Sequence, residues 1–476
     1  MPSERPTRLA SQMQPSCRRA LVLGVAMLVL VGCAAAPEAG SGSTSERAAL
    51  HDQTFEKVWT ELRDHYYDPT FGGKDWKAIC DGYRAKLGDL GSDAELHQLL
   101  NRMVNELGQS HLGVISPEAY VSFDSDDDDE APDEEPGKPG SKKPGDGARP
   151  SSSKKRGDVG LEARMVEGRL TVVSVREGGP AETAGLRPGF VLVRIGRREI
   201  REVIARLTDL GRDDGSIERT MEGLAASRWR GAPGDSLTVA YLDGENSKHE
   251  VSLVREPSVE KRVGILNLPP MATGCDVRTL EGGVGYVAFN IFFLQLMKEL
   301  REGILSFREA PGLILDLRGN PGGIAFMSVS VAALLLDERC ELGTMRTRQN
   351  LMRFPVFPVS DPVRAPVVLL MDAGSGSTSE MMAAGLQEIG RVLVVGAPSA
   401  GAVLPSVLKT LPTGARLQYP IANFLTPKGL AVEGKGVIPD VFVPLSRASL
   451  LRGQDNVIEA ARKLLLERGT RQERTP

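Results

Sequence analysis

Val367-Val368-Leu369-Leu370-Met371-Asp372-Ala373-Gly374-Ser375-Gly376-Ser377-Thr378-Ser379-Glu380 is the stretch on which the fold turns. Its first five residues are an unbroken apolar run, as expected of a strand buried on both faces of a sheet. A Gly/Ser turn follows, and a helix is expected to start near Glu380 and to run through 382–389. Strand, tight turn and helix together are the building unit of an α/β sheet. The turn itself has two chemical readings. It can hold a hydroxyl at the top of the sheet, beside a helix N-terminus whose amides and dipole favour an oxyanion. Equally, a Ser or Thr followed by Glu is a capping box that only starts a helix. The local pattern leaves both open.

Working outward, the runs 284–289, 313–317 and 392–395 are also short, apolar and fit for buried strands. They define an α/β core over 257–450, followed by a C-terminal helix and tail over 451–476. Upstream, 158–256 is a β-rich module: alternating strands at 170–175, 190–195 and 237–241 are separated by turn signals. Residues 47–120 read as a small helical N-terminal domain. Phe55, Val58, Trp59 and Leu62 recur at helical spacing, as do Leu96, Leu99, Leu100, Met103, Val104 and Leu107, with breakers at Tyr67-Asp68-Pro69 and Gly72-Gly73. The fold class is multidomain α/β.

The 476 residues suit about three domains of roughly 150 each. With 41% hydrophobic and 25% charged residues, most of the chain can bury a core. One stretch cannot. Residues 121–157 join an acidic block to a Pro/Gly/Lys/Ser tract and read as a disordered, solvated insert. From Asp124 to Arg156, ten acids against seven bases supply -3 of the net charge of -4. The folded parts are therefore near neutral, which argues against a nucleic-acid partner. Five cysteines make no disulfide framework, and five scattered histidines form no HExxH. A metal-dependent hydrolase is disfavoured, and no cofactor is called for.

Arg5, Arg8, Arg18 and Arg19 precede an apolar run over 20–31 that is too short to span a bilayer. That run ends in Leu30-Val31-Gly32-Cys33, which resembles the bacterial lipobox. The resemblance implies a signal peptide over 1–32, lipidation of Cys33 and a flexible tether over 33–46. Cys80, Cys275 and Cys340 then remain, so an oxidising compartment would leave at least one free thiol. No Asp follows Cys33, which points to the periplasmic face of the outer membrane.

Two further resemblances bear on function. Gly160-Leu161-Glu162, the stretch 178–186 and Arg187-Pro188-Gly189 resemble a PDZ domain. This implies that Gly160, Leu161 and Glu162 form the loop receiving a peptide's C-terminal carboxylate while the peptide adds as a strand. The stretch 315–323 (LDLRGNPGG), the Gly-Ser-x-Ser-Thr-Ser-Glu segment, Gly390-Arg391, Val395-Gly396 and the stretch 433–440 (EGKGVIPD) resemble the S41 serine peptidases. These are the C-terminal processing or tail-specific peptidases, with the tricorn core among them. The family implies an α/β core of the ClpP/crotonase-like kind, with Ser377 as nucleophile and Ser379 as the helix cap. It also implies an oxyanion hole from Thr378 N–H and one N–H of Gly322 or Gly323.

One departure from the family pattern is decisive. The Ser–Lys enzymes place their base in a Thr-x-Gly-Lys segment, and here Ser399-Ala400-Gly401-Ala402 stands there. Alanine accepts no proton, and no motif brings Lys409, Lys428 or Lys435 to the site. The tricorn-like branch takes its base from the helical domain, and Leu107-Gly108-Gln109-Ser110-His111 matches it. The resemblance therefore implies His111 as base, with Ser110 and Glu433 orienting it. His51, His65, His97 and His249 read as structural. The expected function is a lipid-anchored envelope serine endopeptidase acting on protein or peptide substrates. The alternative is an inactive peptidase fold that serves as a PDZ scaffold.

Overall fold

Alternation within the apolar runs sets the architecture. Leu313, Leu315, Val367, Leu369 and Met371 bury on one side of a sheet, and Ile314, Val368 and Leu370 on the other. Side chains of period two, apolar at every position, require cover on both faces. A computed structural model describes residues 44–117, 157–209, 214–258, 261–263 and 271–472 of the 476. In it the runs form a six-stranded sheet in the order Cys275–Thr279, Gly285–Phe289, Leu313–Asp316, Val367–Met371, Val392–Gly396, Val441–Phe442. The first pair is antiparallel and the others are parallel. Helices Met297–Leu305, Phe326–Ala332 and Thr378–Glu388 contribute to the core on one face. Helix Asn456–Gln472 covers the other with Val457, Ile458, Ala461 and Leu465. The strands expected at 284–289, 313–317, 367–371 and 392–395 thus lie within one residue of their observed bounds.

Helices Thr44–His65, Trp76–Arg84 and Asp93–Asn105 carry the N-terminal apolar pattern. Their core is shared. Phe55, Val58, Leu62, Leu96, Leu100 and Met103 pack with Leu411, Leu417 and Tyr419 of the hairpin Ser406–Thr410/Arg416–Pro420. Tyr419 Oη donates to the buried Glu61 at 3.0 Å. Strand Gly113–Ile115 adds antiparallel to Arg416–Pro420 and is pinned to the preceding helix, because Asn101 bonds both polar groups of the Val114 backbone. Residues 106–112 are thereby held at both ends.

The β-rich module has its own core, with Leu170, Val172, Leu192, Val239 and Leu253 inside. Strands Leu161–Val166, Arg169–Val175, Val191–Ile195, Ser236–Leu242 and Lys248–Val254 are antiparallel neighbours. Helix Asp214–Arg228 packs along the first of them. Two arginines fasten the module to the α/β core. Arg447 donates to the carbonyls of Gly189 and Asp243, and Arg164 crosses to Asp372 at 2.7 Å.

The expected signal peptide, Cys33, residues 33–43 of the expected tether and nearly all of the 121–157 insert lie outside the described residues, while Thr44, Ser45 and Glu46, expected in the tether, open the first helix. Among the described residues, no helix is long and apolar enough to cross a membrane. Cys80, Cys275 and Cys340 carry no disulfide.

Candidate active site

Strand Val367–Met371 delivers the turn 372–377 to the C-terminal edge of the parallel sheet, where open α/β sheets expose their sites. The helix begins at Thr378, two residues before the expected start, and its N-cap is Ser377 rather than Ser379. Ser379 lies inside the first turn and donates its hydroxyl to Asn320 O at 2.9 Å. Ser375 is fully buried and donates to Leu317 O at 2.8 Å. Of the three serines, Ser377 alone is half-exposed.

Ser377 has φ 51° and ψ −114°. Only five non-glycine residues among those described have positive φ, and His111, at 54°, is another. Such conformations cost of order 1–3 kcal/mol and persist where the surrounding contacts impose them. Those contacts are visible at Ser377. Its N–H lies 3.0 Å from both Ala402 O and Glu380 Oε2, and its carbonyl accepts from Met381 N–H.

Gly322 explains part of the Gly-Gly pair. Its φ is +102°, and a Cβ there would stand 2.7 Å from Thr378 N and 2.8 Å from Ser377 Cβ. Only glycine lets the loop approach the turn so closely. The Gly322 N–H is spent on Asn320 Oδ1 at 2.9 Å. Gly323 differs. Gly322 O and Ile324 N–H bond the Phe292 backbone, so the Gly323 backbone groups face the opposite way. Gly323 O accepts from Thr378 Oγ1 at 2.9 Å on that side. Of the two glycines, Gly323 is the one whose amide can face the start of the helix beside Thr378.

Ser110 and His111 lie on the segment between helix Asp93–Asn105 and strand Gly113–Ile115. Ser110 Oγ and His111 Nδ1 are 2.8 Å apart. Glu433 Oε1 accepts from the Ser110 backbone N–H at 2.9 Å, so it reaches the histidine's neighbour through the main chain, not through the hydroxyl. Its other oxygen accepts from Val403 N–H at 2.9 Å. Glu433 thus joins the histidine segment to the residue after Ala402, whose carbonyl faces Ser377 N–H. Among the described residues no hydrogen bond joins His111 and Ser377. Burial pushes the His111 pKa below its usual value, Glu433 opposes the shift and Arg219 adds to it. The ring is therefore neutral at neutral pH.

The other histidines pair elsewhere: His51 with Asp93, His65 with Glu61, His97 with Thr413, His249 with Asp243. Lys409 lies by Glu61, and Lys428 contacts Glu388 O. In the module, Gly160 takes a φ of +66° and donates to Asp158 Oδ1 at 2.7 Å. Leu161 is buried and paired with Val175, while Glu162 is exposed.

Three groups escaped the sequence reading. Asp372 accepts from Gly319 N–H, Gly374 N–H and Arg164. Glu222, on helix Asp214–Arg228, accepts from Met165 N–H, and burial and the Asp372 charge push it up to about 7. Glu380, fully buried, accepts four donors, and burial raises its pKa. Its place in a Ser-x-x-Glu pattern was legible as a cap, but no sequence signal pointed to the other three bonds.

Comparisons with known proteins bear on the family and the fold. Residues 283–443 match peptidase family S41, and 48–105 match the tricorn protease C1 domain. The chain is 25% identical over 409 residues to carboxyl-terminal-processing peptidase 3, chloroplastic, of Arabidopsis thaliana, covering 84% of this chain and 70% of that one. It is 24% identical over 416 residues to the carboxyl-terminal-processing protease of a Synechocystis strain, covering 86% and 85%. Among solved structures, the photosystem II D1 C-terminal processing protease aligns with a TM-score of 0.52 at 21% identity, covering 87% of this chain and 97% of that one. Mature CPAF complexed with lactacystin aligns at 0.58 and 14%, covering 88% and 98%. At those identities the structures attest to the fold.

Proposed function

We propose, from the premise that this chain is a serine-type peptidase with an S41 domain over residues 283–443, that it is a lipid-anchored endopeptidase of the cell envelope working by a Ser–His mechanism. Ser377 is the nucleophile and His111 the base, with Ser110 and Glu433 orienting the imidazole. One observation carries this reading: Glu433 bridges Ser110 N–H to Val403 N–H, next to the Ala402 carbonyl that faces Ser377 N–H.

The roles follow from the bonds. A serine hydroxyl needs a base to attack at neutral pH. His111 serves only in the tautomer whose Nδ1–H donates to Ser110 Oγ, leaving Nε2 unprotonated. Ser377 Oγ attacks the peptide carbonyl as its proton passes to His111 Nε2. The oxyanion is met by Thr378 N–H and Gly323 N–H, at the positive end of helix Thr378–Glu388. His111 then protonates the leaving amine, and water, activated by the same ring, releases the acyl group. Residues 158–256 act as a PDZ domain that receives substrate C-termini at Gly160, Leu161 and Glu162. Cys33 carries the lipid that holds the protein at the periplasmic face of the outer membrane. Metabolic labelling with a palmitate analogue tests this anchor, since Cys33→Ser abolishes the label.

Fluorophosphonate labelling tests the site. Wild type is expected to label, and Ser377→Ala and His111→Ala are expected not to. Normal labelling and turnover in His111→Ala would remove the Ser–His assignment, and an unlabelled wild type would favour an inactive PDZ scaffold.

A further inference from the structure

Glu380 has more partners than a helix cap needs. A capping glutamate answers the N–H of its own N-cap residue, and Glu380 Oε2 does so with Ser377 N–H at 3.0 Å. Three more donors converge on it from about twenty residues downstream: Ser399 Oγ at 2.5 Å, Gly401 N–H at 2.6 Å and Ala402 N–H at 2.9 Å. Ser399 Oγ in turn accepts from Val437 N–H at 2.6 Å. The segment 399–403 therefore lies between two carboxylates. Glu380 holds its first part under the serine, and Glu433 holds Val403 on the histidine side. A further bond, Gly434 N–H to Gly401 O at 2.8 Å, ties the segment to the Glu433 loop.

A carboxylate buried in this way is unfavourable unless its lone pairs are met. A neutral glutamine would cap the helix equally well. Only the ionised group, acceptor at both oxygens, takes donors at four sites. Glutamine would turn an N–H₂ group toward two of the donors that now converge there.

We propose that Glu380 is a positioning residue of the peptidase site: through the main chain of 399–403 it sets the register of Ser377 against the Ser110–His111 base. It touches no reacting atom. The inference rests on the reading of Ser377 and His111 as nucleophile and base. It gives Ala402 a purpose: the main chain at this position, not its side chain, serves the site.

The test is steady-state cleavage of fluorescein-labelled casein by the full chain, with fluorophosphonate inactivation kinetics and melting midpoints on the same samples. For Glu380→Gln, kcat and the maximal inactivation rate should fall about 10²-fold, the loss expected of a misplaced nucleophile. KM should stay at its wild-type value, while the melting midpoint falls because a buried N–H₂ faces two donors, so rates are read well below the variant's midpoint. Ser399→Ala removes one donor and should cost about tenfold in kcat, again at constant KM. Wild-type kcat in Glu380→Gln, or a kcat loss that disappears on cooling further below the midpoint, overturns the proposal. If Glu380→Gln does not fold, Ser399→Ala decides: lowered kcat at constant KM, read well below its midpoint, sustains it, and wild-type kcat overturns it. His111→Ala, run alongside, separates the two readings. Full activity there overturns the base assignment. Loss there with full activity in Glu380→Gln overturns the positioning role alone.

Discussion

The turn 372–380 and the segment 107–111 hold the two halves of the proposed chemistry, and they are built in opposite ways. The turn grows out of a strand flanked by two parallel neighbours and runs straight into a helix. Its conformation follows from its own residues, from the glycines that approach it and from the Ala402 carbonyl. The histidine segment belongs to no sheet and no helix. It is held by Asn101 from behind and by Glu433, 323 residues away in sequence, from the front. Each contains a residue of positive φ, Ser377 in the one and His111 in the other. Strain at an active site can thus be imposed by a local scaffold or by distant contacts, and only the first leaves a contiguous trace in the sequence.

That contrast can be broken experimentally. The largest effects fall on the two residues themselves. Ser377→Ala and His111→Ala should each lower kcat by about 10⁴-fold or more in casein cleavage, and the double variant should be no worse than either single one, because the pair acts as a unit. An additive double variant would separate them.

A smaller effect isolates the distant contact. With His111 as the proposed base, activity would require its neutral form, so kcat/KM should be lost as pH falls, on a limb below the ordinary histidine value because burial lowers the pKa. The Glu433 charge opposes that shift. Glu433→Gln should therefore move the limb to still lower pH while reducing kcat about 10²-fold through misplacement of the ring. A limb that stays where it was would place Glu433 outside the base's surroundings.

The smallest effect is on stability at the root of the turn. Glu222 titrates near 7 in the folded chain against an ordinary 4.5. Between those values the folded state holds a proton that the unfolded state has released, so stability falls as pH rises from about 4.5 to 7. Glu222→Gln should flatten that part of the melting-midpoint profile and raise the midpoint above pH 7. An unchanged profile would show that Asp372 and burial do not act on Glu222 as the geometry implies.

The sheet was legible in the sequence because each strand is a run of apolar residues bounded by turn formers, and burial on both faces leaves no other place for 313–317 or 367–371. The serine turn was legible for the same reason, although its cap was not. Ser377, Ser379 and Thr378 are equivalent in local chemistry, and Asn320 decides among them by taking the Ser379 hydroxyl. Glu380 was legible only as a helix start. The donors at 399, 401 and 402 reach it from a segment whose own pattern is a featureless Ser-Ala-Gly-Ala.

By itself, then, the sequence determined the layered α/β core, the β-rich module, the strand–turn–helix that carries the serines and the absence of a lysine at position 402. These follow from periodicity and residue chemistry, which act over a few neighbours. Only the tertiary structure decided that the Glu433 carboxylate meets the Ser110 amide, that the Ser379 hydroxyl bonds Asn320 O, and that Glu380 binds across to 399–402. Each is a hydrogen bond between backbone or buried polar groups far apart in the chain. Such groups exist at every residue, so no residue name announces which will meet until packing brings them together.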